Sequence, residues 1–253
     1  MKNVRLFFMN ILCLTAVCLT AQAQSESATD IIRKSDSQSR GNSSASTTVM
    51  QIVRPKWERE ITFKSWAKGR DYAMTTILEP AKEKGQSFLK RKNEMWSWNP
   101  TISRTIKLPA SMMSQGWMGS DYTNDDILKE SSVVEDYTPS IMGEETVNNH
   151  NCYKLELKAK PDAPVVWGRM IIWVTKDSYI QIKTEYYDEY NTLMRTDNVL
   201  EIKMMGGRDL ATTTEIIPAD KAGSKTVVTL KEIQFDMNIN ESIFSLQNLK
   251  NLK

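Results

Sequence analysis

Residues 179–187 read Tyr-Ile-Gln-Ile-Lys-Thr-Glu-Tyr-Tyr, and this stretch decides the class of fold. Every second residue from Ile180 to Tyr186 suits a buried face, whereas the residues between them are Gln, Lys and Glu. A period of two is the pattern of a β-strand with one buried and one solvent-facing side. The stretch therefore predicts an antiparallel strand rather than a helix.

The same alternation recurs along most of the chain, notably in residues 59–66, 153–158, 200–204 and 227–235. Gly- and Asn-containing turns separate these segments, as expected for hairpins. No internal repeat and no Pro/Gly/Ser-rich linker divides the sequence. We predict one domain built on roughly ten strands, in a large antiparallel sheet inclined to curl into a barrel or half-barrel.

Two segments depart from this alternation. Residues 28–40 have helical spacing of their apolar positions, with Ser27 or Thr29 as a candidate N-cap and Gly41 as a C-terminal stop. Residues 170–174 are apolar on both faces, so both sides of the sheet must be covered there. The amphipathic helix is the natural cover for one of those sides.

The N-terminus predicts a secretory leader. A basic start is followed by an apolar run over residues 6–20 and then by Ala21-Gln-Ala23, the small-residue pattern of a cleavage site. We therefore divide the chain into a signal peptide (1–23) and a mature domain (24–253), and we expect the mature protein in the periplasm; a retained N-terminal anchor is the alternative. The apolar run is too short for a membrane span, and no other stretch approaches the required length.

The charge of the mature chain argues against nucleic acid as a partner. Without Lys2 and Arg5, the 33 basic residues fall to 31, which equals the 31 acidic residues. A neutral protein lacks the excess positive charge that binds phosphate backbones.

The sequence carries no catalytic signature. The one histidine, His150, lies in a predicted hairpin turn, and the mature chain keeps one cysteine, Cys152. With one histidine and one cysteine, a serine- or cysteine-type catalytic triad lacks parts unless a lysine acts as the base. A single cysteine also cannot form a cysteine zinc cluster. The acidic pair Asp125-Asp126 fits the N-terminus of a helix better than a glycosidase site. We expect no enzyme activity, no cofactor and no metal.

The unusual residues are methionine and tryptophan. Residues 94–100 place Trp96 and Trp98 on one strand face, and residues 107–120 form a long Gly/Ser-punctuated loop in which a short helix from Pro109 to Gln115 is expected. Pliable Met and rigid Trp side chains suit a surface that accepts apolar guests, although Met is also a common core filler. The residues that we expect to line or cover a cavity are Ile61, Phe63, Trp96, Trp98, Met112, Met113, Trp117 and Met118.

Several of these segments resemble the bacterial outer-membrane lipoprotein-sorting proteins, the LolA-like family. The resemblance runs over the mature chain and is carried by residues 55–59, 65–69, 88–98, 112–126, 133–137 and 244–249. The block 112–126, Met-Met-Ser-Gln-Gly-Trp-Met-Gly-Ser-Asp-Tyr-Thr-Asn-Asp-Asp, is the most specific of them.

The resemblance implies an incomplete antiparallel β-barrel that covers a few α-helices and encloses an apolar cavity. It also implies a periplasmic carrier whose cavity shields lipid or lipoprotein acyl chains on the way to the outer membrane. An inner-membrane transporter and an outer-membrane acceptor are open as further partners. In the true lipoprotein carrier of this family, an arginine helps to hold the lid closed. Arg91 and Arg104 are nearby candidates in this sequence, but neither is assigned that role.

Two alternatives to a carrier remain. The protein is either a non-transporting binding module, such as a sensor of misplaced lipoproteins or an accessory subunit of an inner-membrane transporter, or, less favoured, an envelope hydrolase. A carrier exchanges lipid between two membranes, whereas a sensor binds a signalling partner only when it is loaded.

Overall fold

A computed structural model describes residues 26–92, 94–129 and 133–251 of the chain. The predicted signal peptide, residues 1–23, lies outside the described residues. Within the described ranges, no helix combines the length and apolar character needed to cross a membrane.

The N-terminal helix α1 has the bounds that the sequence predicts, Ala28–Arg40. The side chain of Ser27 caps its start by accepting a hydrogen bond from the Asp30 backbone N–H at 3.1 Å. Gly41, at φ 66°, ends the helix, and its N–H donates to the carbonyl of Ser37. Ile31 and Ile32 are buried, so the apolar side of α1 faces the sheet.

The rest of the described chain is dominated by one antiparallel sheet of thirteen strands, more than the ten or so expected. The difference arises because several short strands, such as β6, lack a clear alternation. The strands are β1 (Ser43–Arg54), β2 (Trp57–Lys68), β3 (Tyr72–Glu79), β4 (Ser87–Arg91), β5 (Glu94–Asn99), β6 (Arg104–Lys107), β7 (Tyr137–Val147), β8 (His150–Ala159), β9 (Arg169–Thr175), β10 (Gln181–Tyr187), β11 (Leu193–Met205), β12 (Arg208–Pro218) and β13 (Lys225–Phe235).

The strand order explains why the sheet is an open half-barrel. Strands that follow one another in sequence pair, except β6 and β7, and β1 also pairs with β13 and thereby joins the two halves of the chain. The order runs β6-β5-β4-β3-β2-β1-β13-β12-β11-β10-β9-β8-β7, with β6 and β7 as its two edges. The prediction of an incomplete antiparallel barrel is therefore confirmed.

The doubly apolar strand β9 is covered on both sides. Met170, Ile172 and Val174 share a buried cluster with Ile31 and Ile32 of α1, as predicted. On the other face Trp173 is covered by long side chains of its own sheet, since the Nζ atoms of Lys154 and Lys183 lie 4.9 and 4.3 Å from its ring centroid. Methylene stems can cover apolar surface while their charged ends stay in water.

The segment between β6 and β7 carries short helical elements. The prediction of one helix over residues 109–115 is wrong. The chain instead forms a 3-10 turn at Ala110–Met112 and another at Trp117–Gly119. The short helix α2, Asn124–Lys129, follows with Asp125 and Asp126 in its first turn, as predicted. A Cβ at residue 116 would lie 2.7 Å from the carbonyl oxygen of Ser120, so the close approach between the two turns requires glycine there.

Candidate functional site

The concave face of the half-barrel changes character along its strands. In β1 the inward residues begin with Ser44, Ser46 and Thr48 and end with the buried Met50 and Ile52. The register repeats this gradient in β2, because Ser46 lies opposite Ser65, Thr48 opposite Phe63, and Met50 opposite Ile61. One end of the concave face is therefore polar and the other apolar.

A cavity of about 490 Å³ lies between this face and the helices. Its volume falls within the range of small-molecule sites. Many hydroxyl side chains line the cavity: Ser44, Ser46, Thr48, Ser65, Thr75, Thr184, Thr212 and Thr214. Apolar and aromatic side chains also line it: Tyr137, Trp167, Met170, Ile172, Ile182 and Tyr186. The lining is thus mixed, whereas the resemblance implied an apolar cavity.

The protein's own residues occupy the apolar end. Residues 108–127, which we call the cap, close that end of the half-barrel. Trp117 is fully buried, with its ring centroid 5.2 Å from that of Phe63 and 5.4 Å from that of Phe88. Met113 is buried in the same cluster. The open space is therefore left at the polar end and in the middle.

The structure brings six of the eight predicted site residues together. Ile61, Met113 and Trp117 are buried in the cluster below the cap, and Met112 and Met118 pack against its edge. Phe63 belongs to this cluster and also lines the cavity. Met113 and Trp117 belong to the same buried cluster, although 3-10 turns rather than one helix position them.

Trp96 and Trp98 do not join this cluster. Their shared strand face is confirmed, but it is the convex face: on β5 the inward residue is Met95, and Trp96 lies opposite Leu89. There they pack with Leu89, Phe244 and Leu249, the last two from the C-terminal segment. In this structure the two tryptophans hold the chain's end and lie away from the cavity.

One buried ion pair fastens the cap to β1. Arg54 donates to both oxygens of the Asp121 carboxylate, at 2.9 and 3.0 Å. The Asp121 side chain is only 1% exposed and also accepts a hydrogen bond from Thr226 Oγ1 at 2.7 Å. A bidentate arginine–carboxylate pair out of water is among the stronger polar contacts.

A second pair fastens α2 to β11. Arg195 lies 2.5 Å from Asp126 through Nη1 and 2.9 Å from Asp197 through Nε, with 3% of its side chain exposed. Its guanidinium is 3.9 Å from the ring centroid of Tyr186 and 5.1 Å from that of Trp167. Within the cap, Arg195 contacts Asp126 through charge and the ring of Tyr122, whose centroid is 5.1 Å from the guanidinium.

The surroundings of Arg195 shift the pKa values of the Asp126 and Asp197 carboxyl groups in opposite directions. Burial raises the pKa of Asp126, but the charge and hydrogen bond of Arg195 outweigh it and hold that pKa below its ordinary value. For Asp197 burial prevails over the attraction of Arg195 and raises the pKa to about 6. The pair therefore combines a firmly ionised cap residue with a strand carboxyl that gains a proton readily.

Sequence reasoning missed Arg195. The available signal was the Arg-Thr-Asp run at 195–197, which puts two charged side chains on the buried face of a strand. Arg91 and Arg104, the nearest candidates in sequence, are both exposed and lie at strand ends.

The described residues include no group of three or more His, Cys, Asp or Glu side chains placed to hold a metal ion. His150 follows the Asn148-Asn149 turn at the start of β8, as the sequence predicts.

An open antiparallel half-barrel with a capped internal cavity defines the class of the protein: it has the LolA-like fold. A family model described as "Uncharacterized protein" matches residues 69–251, and the chain belongs to that family.

Three solved structures show the same fold. A DUF1329 family protein from Desulfovibrio piger is 25% identical, with a TM-score of 0.81 over 88% of this chain and 97% of its own. A domain assigned as an outer membrane lipoprotein-sorting protein, from Vibrio parahaemolyticus, is 20% identical, with a TM-score of 0.79 over 88% and 98%. A LolA superfamily protein from Nitrosomonas europaea is 22% identical, with a TM-score of 0.77 over 88% and 100%. No curated protein matches the sequence.

Proposed function

We propose that this protein is a non-enzymatic periplasmic carrier that binds a lipid or lipoprotein acyl chain in the capped half-barrel and releases it toward the outer membrane. The observation that carries the proposal is the position of the cap. A Met- and Trp-rich segment closes an apolar pocket at Phe63 and Phe88, directly beside a cavity of about 490 Å³. The names of the LolA superfamily and lipoprotein-sorting structures agree with this function.

The closed cap carries internal costs that favour its release. Trp117 Nε1 is buried without a hydrogen-bond partner among the described residues. An unsatisfied buried donor costs about 1–3 kcal/mol. The next residue, Met118, adopts a left-handed backbone at φ 52°, which a side chain other than Gly, Asn or Asp rarely does. Release of the segment would expose the indole N–H to water, which can accept its hydrogen bond.

An incoming acyl chain can take the place of the cap residues. Each buried methylene contributes about 0.8 kcal/mol, so a chain that displaces Trp117 and Met113 replaces one apolar contact with another. Loading and unloading are then nearly balanced, as a carrier requires. Partners at each membrane would set the direction of transfer.

The first test is mass spectrometry of organic extracts of the protein purified from a bacterial periplasm. We expect a near-stoichiometric phospholipid or acylated peptide. An extract free of lipid, both as purified and after incubation with lipid vesicles, would contradict the proposal and leave a protein-binding module on this fold.

A matched pair of variants tests the cap. Met113→Glu puts a charge into the buried cluster below the cap, whereas Met204→Glu makes the same change at a residue that is 66% exposed. We expect lipid loss in the first variant alone, with both variants folded by circular dichroism. Wild-type lipid content in folded Met113→Glu would show that the cap does not cover the lipid site.

Transfer between donor and acceptor vesicles separates the carrier from the sensor. A carrier moves labelled lipid at a rate that rises with protein concentration. A protein that binds lipid without transferring it would be the non-transporting binding module.

A further inference from the structure

The cavity end opposite the cap is polar, and this polarity was not expected for a site that holds only acyl chains. Ser44 and Ser46 of β1 lie beside Ala67 and Ser65 of β2, and Ser65 in turn hydrogen-bonds to Thr75 of β3 at 2.8 Å. All of these residues line the cavity. Hydroxyl groups can form hydrogen bonds with the polar head group of a ligand, but not with an alkyl chain.

Positive charge lies at the same end. The charged residues that line this end are Arg40 at the end of α1, Arg70 in the β2–β3 turn and Lys90 on β4. Elsewhere the cavity is also lined by Lys183, Asp125, Asp126 and Asp197, and the last two are paired with Arg195. Asp36 joins the two arginines, with Oδ1 3.0 Å from Arg40 Nη2 and Oδ2 2.5 Å from Arg70 Nη2. Lys90 Nζ donates to the backbone carbonyl of Arg70 at 2.8 Å.

Lys90 is the most informative of these cations because it is only 6% exposed. On β4 its side chain shares the concave face with Phe88, two residues away and therefore about 7 Å along the strand. Phe88 contacts Trp117 under the cap. Strand β4 thus presents an ammonium group to one end of the cavity and an aromatic ring to the other.

We propose that the cavity selects an anionic amphiphile, with its phosphate or carboxylate head at Arg40, Arg70 and Lys90 and its chain directed beneath the cap. This inference rests on the proposed lipid-binding function and names the ligand class for it. From Ser44 to Ile52 the inward face of β1 spans eight residues, or about 26 Å, which accommodates a head group and an extended chain in sequence.

Charge gives this site its selectivity. A head group that reaches the cavity gives up hydration, and hydrogen bonds from cationic donors compensate an anion more strongly than a neutral group. The hydroxyl row serves any polar head, so it does not discriminate by itself. The cations therefore determine the preference for an anionic head group, and the apolar end determines that the ligand must also carry an alkyl chain.

The test compares four single-chain probes with the same acyl length: palmitate, lysophosphatidylglycerol, lysophosphatidylcholine and monopalmitoylglycerol. Affinity is measured by displacement of the neutral fluorophore N-phenylnaphthylamine from delipidated full-length mature protein, below each probe's micelle concentration. We expect one or both anionic probes to bind about tenfold or more tightly than monopalmitoylglycerol. This ratio should fall as NaCl is raised. Palmitate and lysophosphatidylglycerol distinguish a carboxylate site from a phosphate site.

Variants locate the selectivity. Lys90→Gln should remove most of the anionic preference and leave monopalmitoylglycerol binding unchanged, and Arg70→Gln provides a second variant at a more exposed position. Lys225→Gln is the control, because Lys225 pairs with Glu215, is 45% exposed and does not line the cavity.

The outcomes separate this inference from the proposed function. Equal affinity for all four probes in the wild type, or an anionic preference that both Lys90→Gln and Arg70→Gln retain, overturns the anionic site and leaves acyl-chain binding in place. Failure of every probe to displace the fluorophore overturns acyl-chain binding itself.

Discussion

Replacement of Arg195 by methionine tests whether a buried ion-pair network holds the cap. Methionine keeps most of the side-chain volume but removes the guanidinium that contacts Asp126 at 2.5 Å and Asp197 at 2.9 Å. Asp126 and Asp197, with 13% and 10% of their side chains exposed, would then face each other without their cation.

The expected loss is large. Removal of one partner of a buried pair typically costs about 3–5 kcal/mol, because the remaining charge stays desolvated. The contact between Arg195 and the ring of Tyr186 is lost as well. Since folded domains are stable by about 5–15 kcal/mol, we expect Arg195→Met to fold but to lose a substantial part of its free energy of unfolding in urea.

Amide hydrogen exchange shows which part of the protein loses stability in Arg195→Met. Asp126 belongs to the cap and Arg195 to the sheet, so the cap should open first while the strands stay paired. The reporting amides are Trp117, Asn124 and Asp125, which donate within the cap to the carbonyls of Tyr122, Gln115 and Met113. We expect these amides to exchange faster in Arg195→Met than in the wild type.

The matched control is Lys203→Met on the same strand. Lys203 pairs with Glu201, but their side chains are 57% and 41% exposed, so its loss should cost less than about 1 kcal/mol. Additional neutralisation of both carboxyls, by Asp126→Asn and Asp197→Asn, should restore part of the stability of Arg195→Met. A loss below about 1 kcal/mol in Arg195→Met, or unchanged exchange of the cap amides, would refute the role of this network.

Four further predictions follow from burial. Trp117→Ala should lower the free energy of unfolding by about 3–5 kcal/mol in urea, against less than about 1 kcal/mol for the exposed Trp57→Ala, and equal losses would contradict the cap packing. Because the folded-state pKa of Asp197 is raised to about 6, its stabilising contribution is fully present below about pH 4 and is lost as pH rises through 6. The stability of the wild type relative to Asp197→Asn should therefore increase between pH 7.5 and pH 5, and a pH-independent difference would refute this. Burial raises the pKa of Cys152, which is fully buried, so its thiol should react with Ellman's reagent only on unfolding, and rapid labelling of folded protein would contradict its position. Phe244→Ala should lower the free energy of unfolding in urea by about 3–5 kcal/mol and speed amide hydrogen exchange in the C-terminal segment. Unchanged stability and exchange would show that this segment does not pack on the convex face.

The covering partner of β9 was predictable because its sequence is apolar on both faces and one amphipathic helix is available. The helix itself was also predictable, since Ser27 and Gly41 mark its ends. These features depend on residues close together in sequence. The short edge strand β6 was harder to predict, because four residues give too little alternation to separate a strand from a loop.

The candidate site was predictable in composition and only partly in position. Met112, Met113, Trp117 and Met118 lie together because one continuous loop carries them. Trp96 and Trp98 share a strand face, as predicted, but alternation did not show whether that face is the concave or the convex one. That choice depends on the direction in which the whole sheet curls.

The sequence by itself therefore determined the antiparallel sheet, the N-terminal helix and the Met- and Trp-rich segment, because local periodicity and turn chemistry act within a few residues. Only the tertiary structure decided what fastens the cap, since Arg195 and Asp126 are 69 residues apart and meet through the curl of the sheet. It also decided that Lys90 and the serine and threonine hydroxyls of several strands share one end of the cavity. Such contacts depend on strand order and register, which no single segment encodes.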